Sequence, residues 1–128
     1  MGKAREARRI AELCLREGAF NSCANRTYYA AFLMVVAGLI KLTDYRPPRG
    51  EWGHGLVQAQ VNTLLIKRRK LLPSDHSSTL SDLLVVRTVG DYEAKDVSQK
   101  QAGRALRRAT DFLSRFEKVM EVNDGSTG

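Results

Sequence analysis

"CANRTYYAAFLMVVAGLIKL", residues 23–42, decides the fold. Tyr28, Phe32, Val35, Val36, Leu39 and Ile40 recur at the three- and four-residue steps of a helix and cover more than half of its surface. A helix apolar on so many sides has to be touched on several of them. The stretch therefore predicts the central helix of a bundle, starting at the capping residues Asn21 or Ser22 and ending near Leu42. Its longest apolar run, residues 30–40, has eleven residues. A membrane span needs roughly 20, so the expectation is a buried core helix in a soluble protein with no membrane partner.

Working outward, Ala7, Ile10, Ala11, Leu13 and Cys14 give a first helix over about Lys3 to Glu17, with Gly18 as its C-terminal stop. On the other side, "TDYRPPRGEWGHG" (43–55) carries prolines and glycines that no helix continues through. A third helix is expected from Leu56 to Lys70, ending in "KRRK". Pro73 and Ser74 reset the chain for a fourth, with Leu80, Leu83, Leu84 and Val86 on its apolar side. "DYEAKDV" (91–97) reads as a connection, and Ser98 to Gln101 as a capping box opening a fifth helix to about Met120. That helix has Ala102, Ala105, Ala109, Phe112, Phe116 and Val119 as its stripe. With no convincing strand, the fold class is all-α: an antiparallel bundle of about five helices over residues 1–120, with a frayed tail over 121–128.

The 128-residue chain carries 21 Lys and Arg against 14 Asp and Glu, a net charge of +7. Either a polyanionic partner such as RNA or a nucleotide, or an acidic protein, uses that excess, or it is an inert basic surface. Cys14 and Cys23 belong to no CxxC pair and read as reduced, buried thiols of a cytoplasmic protein. Two histidines and two cysteines at these separations match no metal-ligand spacing, and "GEWGHG" lacks the strand and the GKS/T of a phosphate loop. No metal and no cofactor are expected.

The residues that need explaining are polar ones on apolar helices. Asn25 and Tyr29 share a face at i and i+4, Arg26 meets Tyr29 at i+3, and Tyr28 stands between them. Left unpartnered in a core, each buried polar group would cost on the order of 1–3 kcal/mol. They form either a satisfied network that locks the helices or the lining of a polar cleft. Arg87 follows "LLVV", the most apolar part of helix four, and can pair with Asp91 at i+4. His54 lies in a loop with Trp52 and glycines; His76 reads as a first-turn histidine without a role. The basic residues of "KRRK" and of helix five read as a solvated face or, alternatively, as a track for an RNA backbone.

"NRTYYAAF" (25–32), "HG" (54–55) and "RTVGDY" (87–92), in this order on this helix pattern, resemble the HEPN superfamily, in the branch that reads "NRxYYAxF", "HG" and "RxxxDY". The resemblance spans about residues 3–120 and implies a helical bundle, usually homodimeric, often encoded beside a small nucleotidyltransferase in toxin–antitoxin or defence systems. Nuclease members resembling this chain use an Arg-x4-6-His motif as metal-independent RNases. Its arginine corresponds to Arg87, but position +5 is Tyr92 and no histidine follows. Tyrosine titrates near 10, so about one in a thousand is ionised at pH 7, a handicap of roughly 4 kcal/mol as a base. The expected function is thus binding of RNA or a nucleotide by a toxin-like or partner subunit, with Arg87, Tyr92 and His54 at the centre and Asn25, Arg26, Tyr28, Tyr29 and Asp91 in the cleft. The alternatives are a metal-independent endoribonuclease using Arg87 and His54, and a non-catalytic interaction module.

Overall fold

The computed structural model describes residues 2–127, with side chains through Val122. The backbone stays helical through Thr127, so the last helix runs past the end expected near Met120 and over most of the 121–128 stretch expected to fray, with Gly128 outside the described residues. Among the described residues there are five α-helices and no strand: α1 (Gly2–Arg16), α2 (Phe20–Leu42), α3 (His54–Gln60), α4 (Thr79–Tyr92) and α5 (Gln99–Thr127). The architecture is the all-α bundle that the apolar periodicity predicts. α2 is its axle, packed against α1, α5 and α4, with α3 more lightly engaged. By length and composition α2 could cross a membrane, yet eleven of its residues are buried inside the bundle.

Local chemistry explains the element ends. Gly18 takes the left-handed φ of 79° that favours glycine, and the Ala19 N–H closes the turn on the Cys14 carbonyl at 2.8 Å. The chain then enters α2 at once, at Phe20, with Ala19 at the cap position. Neither Asn21 nor Ser22 caps the helix, because both lie within its first turn. The capping box of α5 is reciprocal: Gln101 N–H donates to Ser98 Oγ at 3.1 Å, and Ser98 N–H donates to Gln101 Oε1 at 2.9 Å.

Helix three departs from expectation in both directions. It starts earlier, at His54, because the extended Gly53 offers its carbonyl to Val57 N–H at 2.9 Å. From Val61 to Arg68 it widens into a π-helix, which keeps Val61, Leu65 and Ile66 all on the buried side. No residue propensity signals such a turn, so the sequence pattern reads it as ordinary α-helix. Ser74 does not begin helix four: Ser74–His76 form an isolated 3-10 turn and α4 starts at Thr79. α4 then continues through Tyr92, so Asp91 and Tyr92 belong to the helix and not to the connection after it.

The core centres on Phe112, Phe116, Met34, Leu39, Leu65 and Leu80, all fully buried. α2 and α5 approach closely at Gly38, over which the Phe116 ring lies. Ion pairs join the outer helices: Arg5 to Glu117 at 3.0 Å, and Arg108 to Asp82. His76 is no idle loop residue. It is buried, edge-on to Phe112 at 5.0 Å, with Nδ1 3.1 Å from Thr79 Oγ1 and Nε2 3.3 Å from Asp111. Of the two thiols only Cys23 is buried, and burial pushes its pKa up; Cys14 is half-exposed.

Candidate functional site

The site forms where the end of α4 crosses the start of α2. Gly90 makes that crossing close: a Cβ there would stand 3.2 Å from the Asn21 backbone and from Val97. Asn21 pins the connection that follows, donating to Asp96 Oδ1 at 3.0 Å and accepting from Val97 N–H at 2.8 Å. With the helices held so, Arg87 and Asp91 come down over Asn25, Tyr28 and Tyr29.

The polar groups satisfy one another. Arg87 Nε donates to Asp91 Oδ2 at 3.1 Å, and the same oxygen accepts from Asn25 Nδ2 at 3.0 Å. Asn25 Oδ1 in turn accepts from Arg26 Nε at 2.9 Å and Nη2 at 2.6 Å. The guanidinium of Arg87 lies 4.9 Å from the Tyr29 ring centre and 5.2 Å from that of Tyr28, while Arg26 lies 4.8 Å from Tyr29. Tyr29 thus sits between two cations, each drawn to the negative face of its ring. On the far side of Tyr28 its hydroxyl meets His54 Nδ1 at 2.9 Å. Tyr28 is therefore the bridge between His54 and Arg87, and the α3 N-terminus is tied to the α2–α4 crossing.

Electrostatics sharpen these roles. Burial pulls the Arg87 pKa down, but the hydrogen bond to Asp91 and the charge of nearby groups outweigh it, so the guanidinium is held in its charged form. Burial raises the Tyr28 phenol above its usual value. Burial lowers that of His54, so at neutral pH its ring is uncharged and can accept the Tyr28 hydroxyl proton at Nδ1. The side chains of Arg87 and Asp91 remain about 20% exposed, within reach of a ligand. Beside them opens a hollow of about 490 Å³ bordered by Asn25, Arg26 and Asp91 together with Asn21, Ser22 and Cys14.

Asn25, Arg26, Tyr28, Tyr29, His54, Arg87 and Asp91 thus meet in one cluster. Tyr92 stands apart: it is 75% exposed and reaches Arg87 through its electrostatic influence. Asn21 and Gly90 were not legible as site residues. Only the unusual glycine inside an apolar helix, one step before Asp91, hints at the close crossing. Among the described residues no three His, Cys, Asp or Glu side chains gather as a metal site.

The two histidines make stability depend on pH. Burial lowers both pKa values below the ordinary 6.5, so below that pH the unfolded chain binds more protons than the folded one. Their contribution is complete above about 6.5 and is lost as pH falls towards the folded-state values. Thermal melts at pH 7 and pH 5 should show a lower Tm at pH 5, and His76→Phe should flatten that dependence if the protein folds.

A family model for the HEPN domain matches residues 1–119, nearly the whole chain. No curated protein matches the sequence significantly. The match covers the helices that carry the cluster, in the order in which the three motifs occur. The chain belongs to the HEPN-domain family.

Proposed function

We propose that the protein binds RNA or a nucleotide at the Arg87 cluster, as a homodimeric, toxin-like or partner subunit of a prokaryotic toxin–antitoxin or defence system, and that it does so without cutting. The observation that carries this reading is the Arg87 guanidinium, held charged by Asp91 over two tyrosine faces while still reachable from solvent. A phosphate takes such a cation through charge-assisted hydrogen bonds, and the half-buried Tyr29 beside it offers part of its ring to a base. The position of the nuclease histidine holds Tyr92, an exposed phenol outside the hydrogen-bonded cluster. A second copy is supported by the apolar outer surface of α4 and α1, where Val85, Tyr92, Ile10 and Leu13 are exposed. A nucleotidyltransferase-type protein remains the partner the family suggests.

The test is RNA binding against salt. For a strand held through several phosphates, log K should fall linearly with log[salt], by about 0.7 per phosphate contact. A flat response would remove RNA as the ligand and leave a mononucleotide.

One observation favours a second reading, a metal-independent ribonuclease. His54, neutral and bonded to Tyr28, stands one residue away from Arg87 through the Tyr28 ring, where it is the imidazole available for proton transfer. Incubating the protein with RNA in EDTA separates the readings. Binding without cutting predicts intact RNA; cutting that disappears in His54→Ala would establish the nuclease.

A further inference from the structure

At the other end of the third helix a second concavity, about 590 Å³, has Ile66, Leu71 and Pro73 as its apolar lining and Lys67, Lys70 and Arg115 as its cations. No acidic residue lines it, and none of the three cations has an ion-pair partner among the described residues. All three are exposed. Lys70 is also the one described residue other than glycine with a left-handed backbone, φ 53°. It occupies the turn that closes the π-helix, where Leu71 and Leu72 both donate to the Leu65 carbonyl at 2.8 and 3.2 Å. Glycine is the residue such a turn favours. The chain carries a lysine there instead, which puts an ammonium group on the concavity at a cost in backbone strain.

We infer that this concavity is a second RNA contact: a nucleotide of a bound strand rests its base on the apolar lining and its phosphate among Lys67, Lys70 and Arg115. The inference rests on the reading of the Arg87 cluster as an RNA site, and it chooses a strand over a mononucleotide. His54 and Lys67 lie on one continuous helix, at most roughly 20 Å apart at the α-helical rise of about 1.5 Å per residue, its π-turns rising less. At about 3.4 Å of rise per stacked nucleotide, roughly six nucleotides cover that distance, so no mononucleotide reaches both places.

The test uses the full chain and fluorescent oligouridylates of three nucleotides and of about twelve, twice the covering length. The wild type should bind the longer strand at least tenfold more tightly. K67Q/K70G should remove most of that advantage and lower the salt slope by about 1.4, at about 0.7 for each phosphate that a lysine no longer neutralises. It should leave affinity for the trinucleotide within twofold, and its Tm should be unchanged or higher, since glycine relieves the strained turn. A control with the same loss of charge on other exposed positions, K3Q/K100Q, should change affinity less than twofold. If K67Q/K70G binds the long strand like wild type, or the control weakens it equally, the second contact is wrong while the Arg87 reading stands. If the long strand is weakened by K67Q/K70G but not by Arg87→Ala, the concavity is upheld and the Arg87 reading falls. If wild type binds neither strand, both fall.

Discussion

Replacing Phe116 by alanine should lower the unfolding free energy by about 3–5 kcal/mol, the largest stability loss expected of any single change argued from this fold. The ring is fully buried, edge-on to Phe112 at 5.0 Å, and lies over Gly38. Truncation strips away its packing and leaves a cavity that α2 and α5 cannot close without moving the axle of the bundle. The reverse change tests the same contact. A Cβ at position 38 would stand 2.5 Å from Phe116 Cε1 and 2.7 Å from Cδ1, closer than atoms tolerate. Phe116 is fully buried, so any shift of its ring disturbs the core, and Gly38→Ala should cost about 1–3 kcal/mol despite alanine's better helix propensity. In G38A/F116A the added methyl enters the space the ring vacates. The double variant should therefore be less destabilised than the two single changes combined, by about 0.5 kcal/mol or more. Urea melts of the four proteins measure this. Strict additivity would mean that the ring and Gly38 are not in contact in solution.

Arg87→Ala should weaken binding of an oligoribonucleotide at least tenfold, about 1.4 kcal/mol, while changing the melting temperature little. The small effect on folding follows from the setting of Arg87. Its pair with Asp91 is partly exposed, a class of pair worth about 0–1 kcal/mol, and Asp91 keeps its bond to Asn25 when the arginine is gone. The large effect on binding follows from what alanine removes, the guanidinium poised over Tyr28 and Tyr29. Arg87→Lys gives a finer comparison. It keeps the charge but offers a point cation that neither lies flat on a ring nor grips a phosphate with two parallel donors, so it should restore only part of the affinity. The opposite pattern, wild-type affinity with a clearly lower melting temperature, would make the cluster an architectural lock.

Much of this was legible in the chain. The apolar steps of residues 28–40 required a central helix, and Gly18 and the Ser98–Gln101 box marked ends that the fold uses. The spacing of Arg26 with Tyr29 and of Arg87 with Asp91 brought out the local pairs, because residues three and four apart on a helix are neighbours wherever the helix goes. The bond from Asn25 to Asp91 joins two helices and was not legible. The cap of α2, the π-turns after Gln60 and the true start of α4 were not legible. Each depends on how one segment is held by another and not on its own residues. His76 looked idle because its partners, Asp111 and Phe112, lie on a helix far along the chain.

The sequence by itself determined the helices, the apolar faces that must be buried and the family to which they belong, since periodicity and motif order are local properties. Only the tertiary structure decided that His54 joins the Arg87 cluster through Tyr28, while Tyr92 stays in solvent. The reason is geometric: Gly90 sets how closely α4 crosses α2, Gly53 starts α3 two residues early, and such distances between helices are fixed by packing across the bundle.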